Sequence, residues 1–420
     1  QTCTWEQKYI KFTNFGILDS NMEKIAIIGA GAAGCFCAVE MKRRRPGAQI
    51  TVFESATKPL AKVAITGGGR CNLTNSFESI GRLREAYPRG ERLVRHAFSQ
   101  LSPEQTCAWW EREGVRLVTM EDGCVFPASQ DAMQIVRTLE NLMRRLGVEL
   151  RLGCRVEAVD HGPQGYVLTL KDGRVEADRV VVTTGGGALK LLEPLGLKLE
   201  PTVPSLFTLR IADEGLRALM GTVVRDATLR LAGLKSMVSR GTLLLTDWGV
   251  SGPATLKLSS YAARELAESG YSGTLLVSWL SCSESEAREW IAGAMEGAAR
   301  KQVSSVRPEG LSSRLWLHLM RRAGLREDIR WAEMGSKGIS RLACTLTADA
   351  YSIAGRCHFK EEFVTAGGVS ADAVLPKAFE AREHPHLHFA GEVLDIDAIT
   401  GGFNLQAAWS TAYTVAAQAE

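Results

Sequence analysis

The 420-residue sequence contains no CxxC pair, and its ten cysteines, at 3, 35, 37, 71, 107, 124, 154, 282, 344 and 357, show no paired spacings. This excludes a zinc ribbon or a thioredoxin-type dithiol. It fits reduced thiols in a cytoplasmic protein, many of them buried as small apolar side chains. No apolar stretch could span a bilayer: the longest uncharged run, Ile25 to Val39, is too short and too rich in glycine, so no membrane partner is expected. Histidine is scarce, with seven in all. Three of them alternate at His384, His386 and His388 and would share a face in a strand, but Pro385 interrupts them and no cysteine or carboxylate cluster accompanies them. No metal is expected. Charge of either sign is not in excess: 50 Lys and Arg against 47 Asp and Glu leave +3, which permits a nucleic-acid partner without arguing for one. No Ser-His-Asp or Cys-His context suggests a nucleophile. Residues 1–21 begin with Gln1, mix charged and aromatic residues and lack the apolar core of a secretory leader. Met22 reads as the natural start, and what precedes it is expected to be an extension outside the fold.

What is present begins at Lys24. An apolar strand runs into Gly29-Ala30-Gly31-Ala32-Ala33-Gly34, then a helix, a second strand, and Glu54 at its end. Gly29 allows a tight exit from the strand, Gly31 removes a side chain that would block a diphosphate, and Gly34 permits close helix packing. The free N–H groups around Ala32 and Ala33 and the positive helix end face the same anion. Glu54 is placed to accept hydrogen bonds from an adenosine ribose and would repel a 2′-phosphate. This is a dinucleotide-binding βαβ unit.

A second glycine-rich loop follows, Thr66-Gly67-Gly68-Gly69-Arg70-Cys71-Asn72. Three glycines are costly to order, so the backbone is expected to approach a ligand, with Arg70 as a fixed cation nearby. Residues 80–148 read as mainly helical, with Trp109-Trp110 as packing; strands follow near 150–160 and 165–170, with a hairpin turn at 171–174. The buried strand Arg179 to Val182 enters Thr184-Gly185-Gly186-Gly187 and returns beside the nucleotide. Residues 201–250 are strand-rich, whereas 257–268, 283–300 and 310–325 look helical. The Ser251-Gly252-Pro253 corner is read as structural. Near the end, Gly391-Glu392 and Asp395 precede Gly402-Phe403-Asn404-Leu405 at the start of a last helix. Acids here suit ribityl hydroxyls, and a helix end suits the pyrimidine side of a reduced flavin. First and last segments therefore build one site, and its cofactor would be FAD.

These blocks, TGGGRCNLTN at 66–75, SGP at 251–253, VTAGGV at 364–369 and AGEVLDIDAITGGFNLQAAW at 390–409, resemble the bacterial aminoacetone-oxidase-like FAD-dependent oxidoreductases, also called the BaiN/RdsA family, over almost the whole chain from Lys24. The resemblance implies an α/β fold in which a Rossmann-like FAD-binding domain with a glutathione-reductase-like βαβ unit is interrupted by a family-specific insert; the change of register from about Pro201 reads as that insert, a mixed β/α substrate domain at roughly 196–344, leaving 22–195 and 345–420 to the FAD domain. Three positions depart from it: Cys124 stands where the family often has arginine, Asp247 where many members have histidine, and Ser410-Thr411-Ala412 replaces a Ser-Gly.

The expected activity is flavin-mediated hydride transfer, with NADH or NADPH docking transiently as donor, because Gly185-Gly186-Gly187 lacks the spacing of a second fingerprint. The resemblance leaves open a small-molecule enone, an amine, or an RNA uracil reduced to dihydrouridine. For the RNA alternative, Arg43-Arg44-Arg45 and Arg144-Arg145 are candidates, though both clusters read better as helix ends. A flavin-binding protein without turnover is a further alternative. A flavin-dependent RNA methyltransferase would need an activated cysteine, for which Cys71 is the candidate and packing the stronger reading. Candidate proton donors are Thr66, Asn72, Asn404 and Asp247; no catalytic residue is assigned, no stable protein partner is inferred, and the oligomeric state is left open.

Overall fold

The computed structural model describes residues 22–357 and 364–418; the expected extension 1–21 lies outside the described residues. Two separate hydrophobic cores organise them. The first surrounds a seven-stranded sheet in the order Val374–Leu375, Glu380–Ala381, Leu387–Phe389, Arg179–Val182, Lys24–Ile28, Gln49–Phe53, Glu149–Arg151. From Leu387–Phe389 onward the pairings are parallel. Ile25–Ile28 and Val180–Val182 are buried, as strands covered on both faces must be, which is why they read as unbroken apolar runs. The helix Ala32–Arg44 and the terminal helix Phe403–Gln418 pack on this sheet and on each other. Phe36 of the first meets Trp409 of the second at a ring-centroid distance of 5.4 Å and Trp109, from the helix Pro103–Arg112, at 4.6 Å. The fold is therefore Rossmann-type, with chain ends far apart in sequence completing one layer.

The second core fills a closed six-stranded barrel ordered Leu209–Ile211, Gly249–Ser251, Leu234–Leu245, Val223–Leu231, Ser272–Ser278, Asp349–Arg356. Helices Glu284–Ala298, Ser313–Arg322 and Ser336–Ala348 add to this core. An antiparallel ribbon of Leu199–Ser205 and Val364–Val369 forms the neck between barrel and sheet.

Several expectations are corrected here. The limit at 344/345 falls inside Ser336–Ala348, and the next strand, Asp349–Arg356, closes the barrel by pairing with Ser272–Ser278 and Leu209–Ile211. Its alternating burial, with Tyr351 and Ile353 inward, carries that assignment. The helical stretch 80–148 is broken by Leu117–Thr119 and Cys124–Pro127, which pair with each other, the second also with Thr74–Asn75. Of the three alternating histidines only His388 lies in a strand, Leu387–Phe389, while His384 meets His161 at 2.8 Å and His386 takes a left-handed turn. Among the described residues no metal-ligating cluster forms and no helix is long and apolar enough to cross a membrane.

Candidate functional site

Sheet, terminal helix and neck enclose a cavity of about 570 Å³, within the roughly 300–1,000 Å³ common for small-molecule sites. Gly29 leaves its strand at φ +106°, and a Cβ there would lie 2.7 Å from the Thr183 carbonyl oxygen, so both conformation and space require glycine. Gly34 serves the same turn from the other side: its Cβ would sit 1.9 Å from the Gly29 carbonyl oxygen. Gly31 differs, because a Cβ there would meet nothing within 4 Å. It begins the helix Ala32–Arg44 with no side-chain cap, so the first N–H groups are left for a ligand in the cavity.

Glu54 is held at the end of the second strand by the Ala30 N–H (2.8 Å) and the Ala56 N–H (2.8 Å). Opposite, the terminal helix starts at Gly402, packed so tightly that a Cβ would fall 2.3 Å from the Thr74 carbonyl oxygen. Its register is set by buried polar contacts. Trp409 Nε1 donates to the Leu73 carbonyl at 3.0 Å, Tyr87 Oη to the Phe403 carbonyl at 2.7 Å, and Gln406 Nε2 to Thr106 Oγ1 at 2.9 Å. The first of these bonds ties the Gly67–Asn75 loop to the last helix, and the three together join residues 300 to 336 positions apart.

Of the expected binding residues, Gly29, Gly31, Ala32, Ala33, Glu54, Gly68, Asn72, Thr184, Gly185, Gly391, Glu392, Gly402, Asn404 and Leu405 line the cavity, as does Thr66. Gly34, Gly69, Arg70, Cys71, Gly186, Asp395 and Phe403 do not. Arg70 lies over the Phe126 ring at 4.5 Å and donates to the Gly67 carbonyl at 3.1 Å, so its cation is used to brace its own loop. Cys71 is buried and its thiol is pushed up to about 12 by desolvation, which removes it as a reactive thiolate. Gly186 abuts Thr365 of the neck; Phe403 packs on Phe77 and Tyr87; Asp395 is engaged by Arg264. Asn404 reaches the cavity with its amide committed at both ends to Ala398 N–H (2.9 Å) and C=O (3.0 Å). Asp247 is exposed in a barrel turn away from the lining. Arg43 and Arg44 bond Glu40, and Arg45 bonds Glu23, as befits a helix end.

Sequence reasoning missed Lys58 and Lys62, which line the cavity on the nucleotide side, and Leu206, Leu256, Val364 and Ile396, which form an apolar wall on the barrel side. Lys62 lies 3.6 Å from Glu392. Isolated leucines in the insert carry no sequence signal.

The donor set and the open position at Gly31 fit a flavin dinucleotide: unsatisfied helix N–H groups and lysines for a diphosphate, a carboxylate for a ribose, and a second helix terminus for the ring. The chain matches the HI0933-like protein Rossmann domain over residues 23–418. It is 28% identical over 408 residues to a 3-dehydro-bile acid delta(4,6)-reductase of Clostridium scindens, covering 93% of this chain and 98% of that protein. It is also 28% identical over 415 residues to a ribosomal RNA dihydrouridine synthase of Escherichia coli, covering 93% and 96%. Among solved structures, a variant of the E. coli quinol fumarate reductase subunit FrdA aligns with a TM-score of 0.47 at 14% identity, over 95% of this chain and 70% of that one. With the family match spanning both halves of the sheet, the neck and the barrel, the chain belongs to the HI0933-like Rossmann family and is an FAD-dependent oxidoreductase.

Proposed function

We propose that the chain passes hydride between FAD bound in this cavity and a substrate entering between the Rossmann unit and the barrel, with NADH or NADPH as transient donor. One observation carries the reading: Leu206 and Leu256, from beside the neck and from the barrel unit, line the same cavity as Gly31, Glu54 and Gly402. A protein that only stored the dinucleotide would need no second unit over it. The flavin, when bound, supplies the reactive ring. The chain's own residues do the rest: Gly31, Ala32 and Ala33 hold the diphosphate, Glu54 the ribose, and the N–H groups after Gly402 face the ring carbonyl. The apolar wall of Leu206, Leu256 and Ile396 excludes water. In this reading residues 209–356 form the substrate unit and the remainder of the described chain the FAD unit.

A second reading takes an RNA uracil as the acceptor. Residues 209–356 contain twenty Lys and Arg against fifteen Asp and Glu, so the insert is more basic than the rest of the chain, and a positive face over the cavity would attract phosphates. Anaerobic stopped-flow with NADH and NADPH, followed by mixing with enones, ribosomal RNA or oxygen, tests both. Fast bleaching by a nicotinamide with recovery on an enone or RNA supports a reductase of that acceptor. Bleaching by an amine alone, with recovery in air, would make the protein an amine oxidase and overturn the proposal, and no bleaching by any donor would leave a flavin carrier.

A further inference from the structure

Ile396, in the cavity wall, stands between two aspartates, and each is met by an arginine from elsewhere in the chain. Asp397 is fully buried. Arg89 binds both of its oxygens, Ser205 Oγ donates to Oδ2 at 2.9 Å, and Arg89 Nη2 also donates to the Ser260 carbonyl at 2.6 Å. Asp395 accepts from Arg264 Nη2 at 3.0 and 2.9 Å and from the Gly367 N–H at 3.1 Å.

The two pairs differ in exposure. Arg89 and Asp397 are 11% and 0% exposed, Arg264 and Asp395 38% and 15%. Opening the first would strand a buried charge, whereas the second is accessible to water and screened by salt. Both act on the same insert segment, since Ser260 lies in helix Pro253–Tyr261 and Arg264 in the following Ala263–Glu268. The first of these helices carries Leu256 into the cavity.

We infer that Arg89–Asp397 is a permanent pivot and Arg264–Asp395 a releasable latch that together seat Leu256 over the cavity, making Arg264 and Asp395 positioning residues for the reaction. The inference rests on the reading that the cavity holds the flavin. Seated, this helix pair shields the cavity; because Ala254, Leu258, Ala262 and Leu266 tie it into the barrel core, release lets the barrel unit tilt as a whole about the Arg89 anchor and admit substrate.

The test compares wild type, Arg264→Met and Arg264→Lys as purified holoprotein, by acrylamide quenching of flavin fluorescence and by hydrogen exchange of residues 253–268 and the Gly367 amide. Salt is varied between about 0.01 and 1 M, over which the screening length falls from roughly 30 to 3 Å. In wild type both signals should rise with salt. In Arg264→Met they should start about 1.4- to 5-fold higher, the size of a half-exposed ion pair, and lose the salt dependence. Arg264→Lys should retain it. A wild type insensitive to salt in exchange, or a methionine variant matching wild type at low salt, overturns the latch. Protein that purifies without flavin would fail the flavin reading, while exchange would still decide the latch. If the methionine variant does not fold, the salt response of wild type and of the lysine variant decides.

Discussion

Gly31 and Gly34 lie in one turn three residues apart, and the proposed diphosphate site gives them opposite duties that two alanine substitutions can separate. A Cβ at Gly34 would come within 1.9 Å of the Gly29 carbonyl oxygen and 2.6 Å of Thr183 Oγ1. The helix must retreat by more than about 1 Å to restore contact distance, and overpacking of this kind costs about 1–3 kcal/mol. At Gly31 a Cβ meets nothing, and its backbone, at φ −81° and ψ −166°, is one any residue adopts. Losing glycine at a helix start and narrowing the unfolded chain oppose each other, so stability should stay within about 0.5 kcal/mol. The methyl then occupies the space of the diphosphate. Displacing one charged hydrogen bond to a helix N–H, worth about 1.5–3 kcal/mol, weakens FAD binding roughly ten- to hundred-fold. Urea unfolding of flavin-stripped protein and fluorescence titration with FAD measure the two quantities separately. Gly34→Ala should lower the first, Gly31→Ala only the second. A Gly31→Ala variant that binds FAD like wild type would refute the placement of the diphosphate at this helix end.

Glu54→Gln turns an amide NH2 toward either the Ala30 or the Ala56 N–H, and FAD affinity should fall by about 1–3 kcal/mol in the same titration. Asp397→Asn leaves Arg89 with an uncompensated charge in a buried site and should cost about 3–5 kcal/mol by urea unfolding, far more than Asp395→Asn at the exposed pair. His388 is held well below the usual imidazole range, at about 4, by burial and by the Arg179 guanidinium; its Nε2 accepts from Arg179 at 2.9 Å and its Nδ1 faces the Ala378 carbonyl. A depressed folded-state value means the unfolded chain takes the proton first, so stability is complete above about pH 6.5 and is lost as the pH falls toward 4. Unfolding curves over that window should flatten in His388→Gln. Glu40, despite desolvation, is held low by Arg44, Trp109 and Arg43, so its contribution is present above the unfolded carboxylate range and lost below it; Glu40→Gln should soften the acid limb of the same curves.

The nucleotide half of the site was legible because its chemistry is local. Gly29, Gly31, Gly34 and Glu54 belong to a strand–turn–helix–strand unit whose own closure, from the Gly29 turn to the Ala30–Glu54 hydrogen bond, lies within thirty residues, so spacing states what each must do even though Thr183, far along the chain, completes the packing around Gly29 and Gly34. The start of the terminal helix was legible for the same reason, since Gly402 and the residues after it need only a turn and a free helix end. Arg70 and Asp395 show the limit. Both have the charge a cofactor site wants, and both are taken by partners distant in sequence or chemistry, Phe126 and Arg264. A motif names a residue type but not its neighbour across the fold.

The sequence by itself determined a Rossmann unit, a dinucleotide turn, a second glycine loop and a flavin-type terminal helix, because periodicity and backbone demands are written in consecutive residues. Only the tertiary structure decided that Asp349–Arg356 closes a barrel, that Leu206 and Leu256 wall the cavity, and that two aspartates two positions apart meet arginines of different segments, one pair buried and the other open to water. Those outcomes depend on which surfaces meet and how much water each meeting excludes, and residue order does not encode burial at a contact between segments 130 to 310 positions apart.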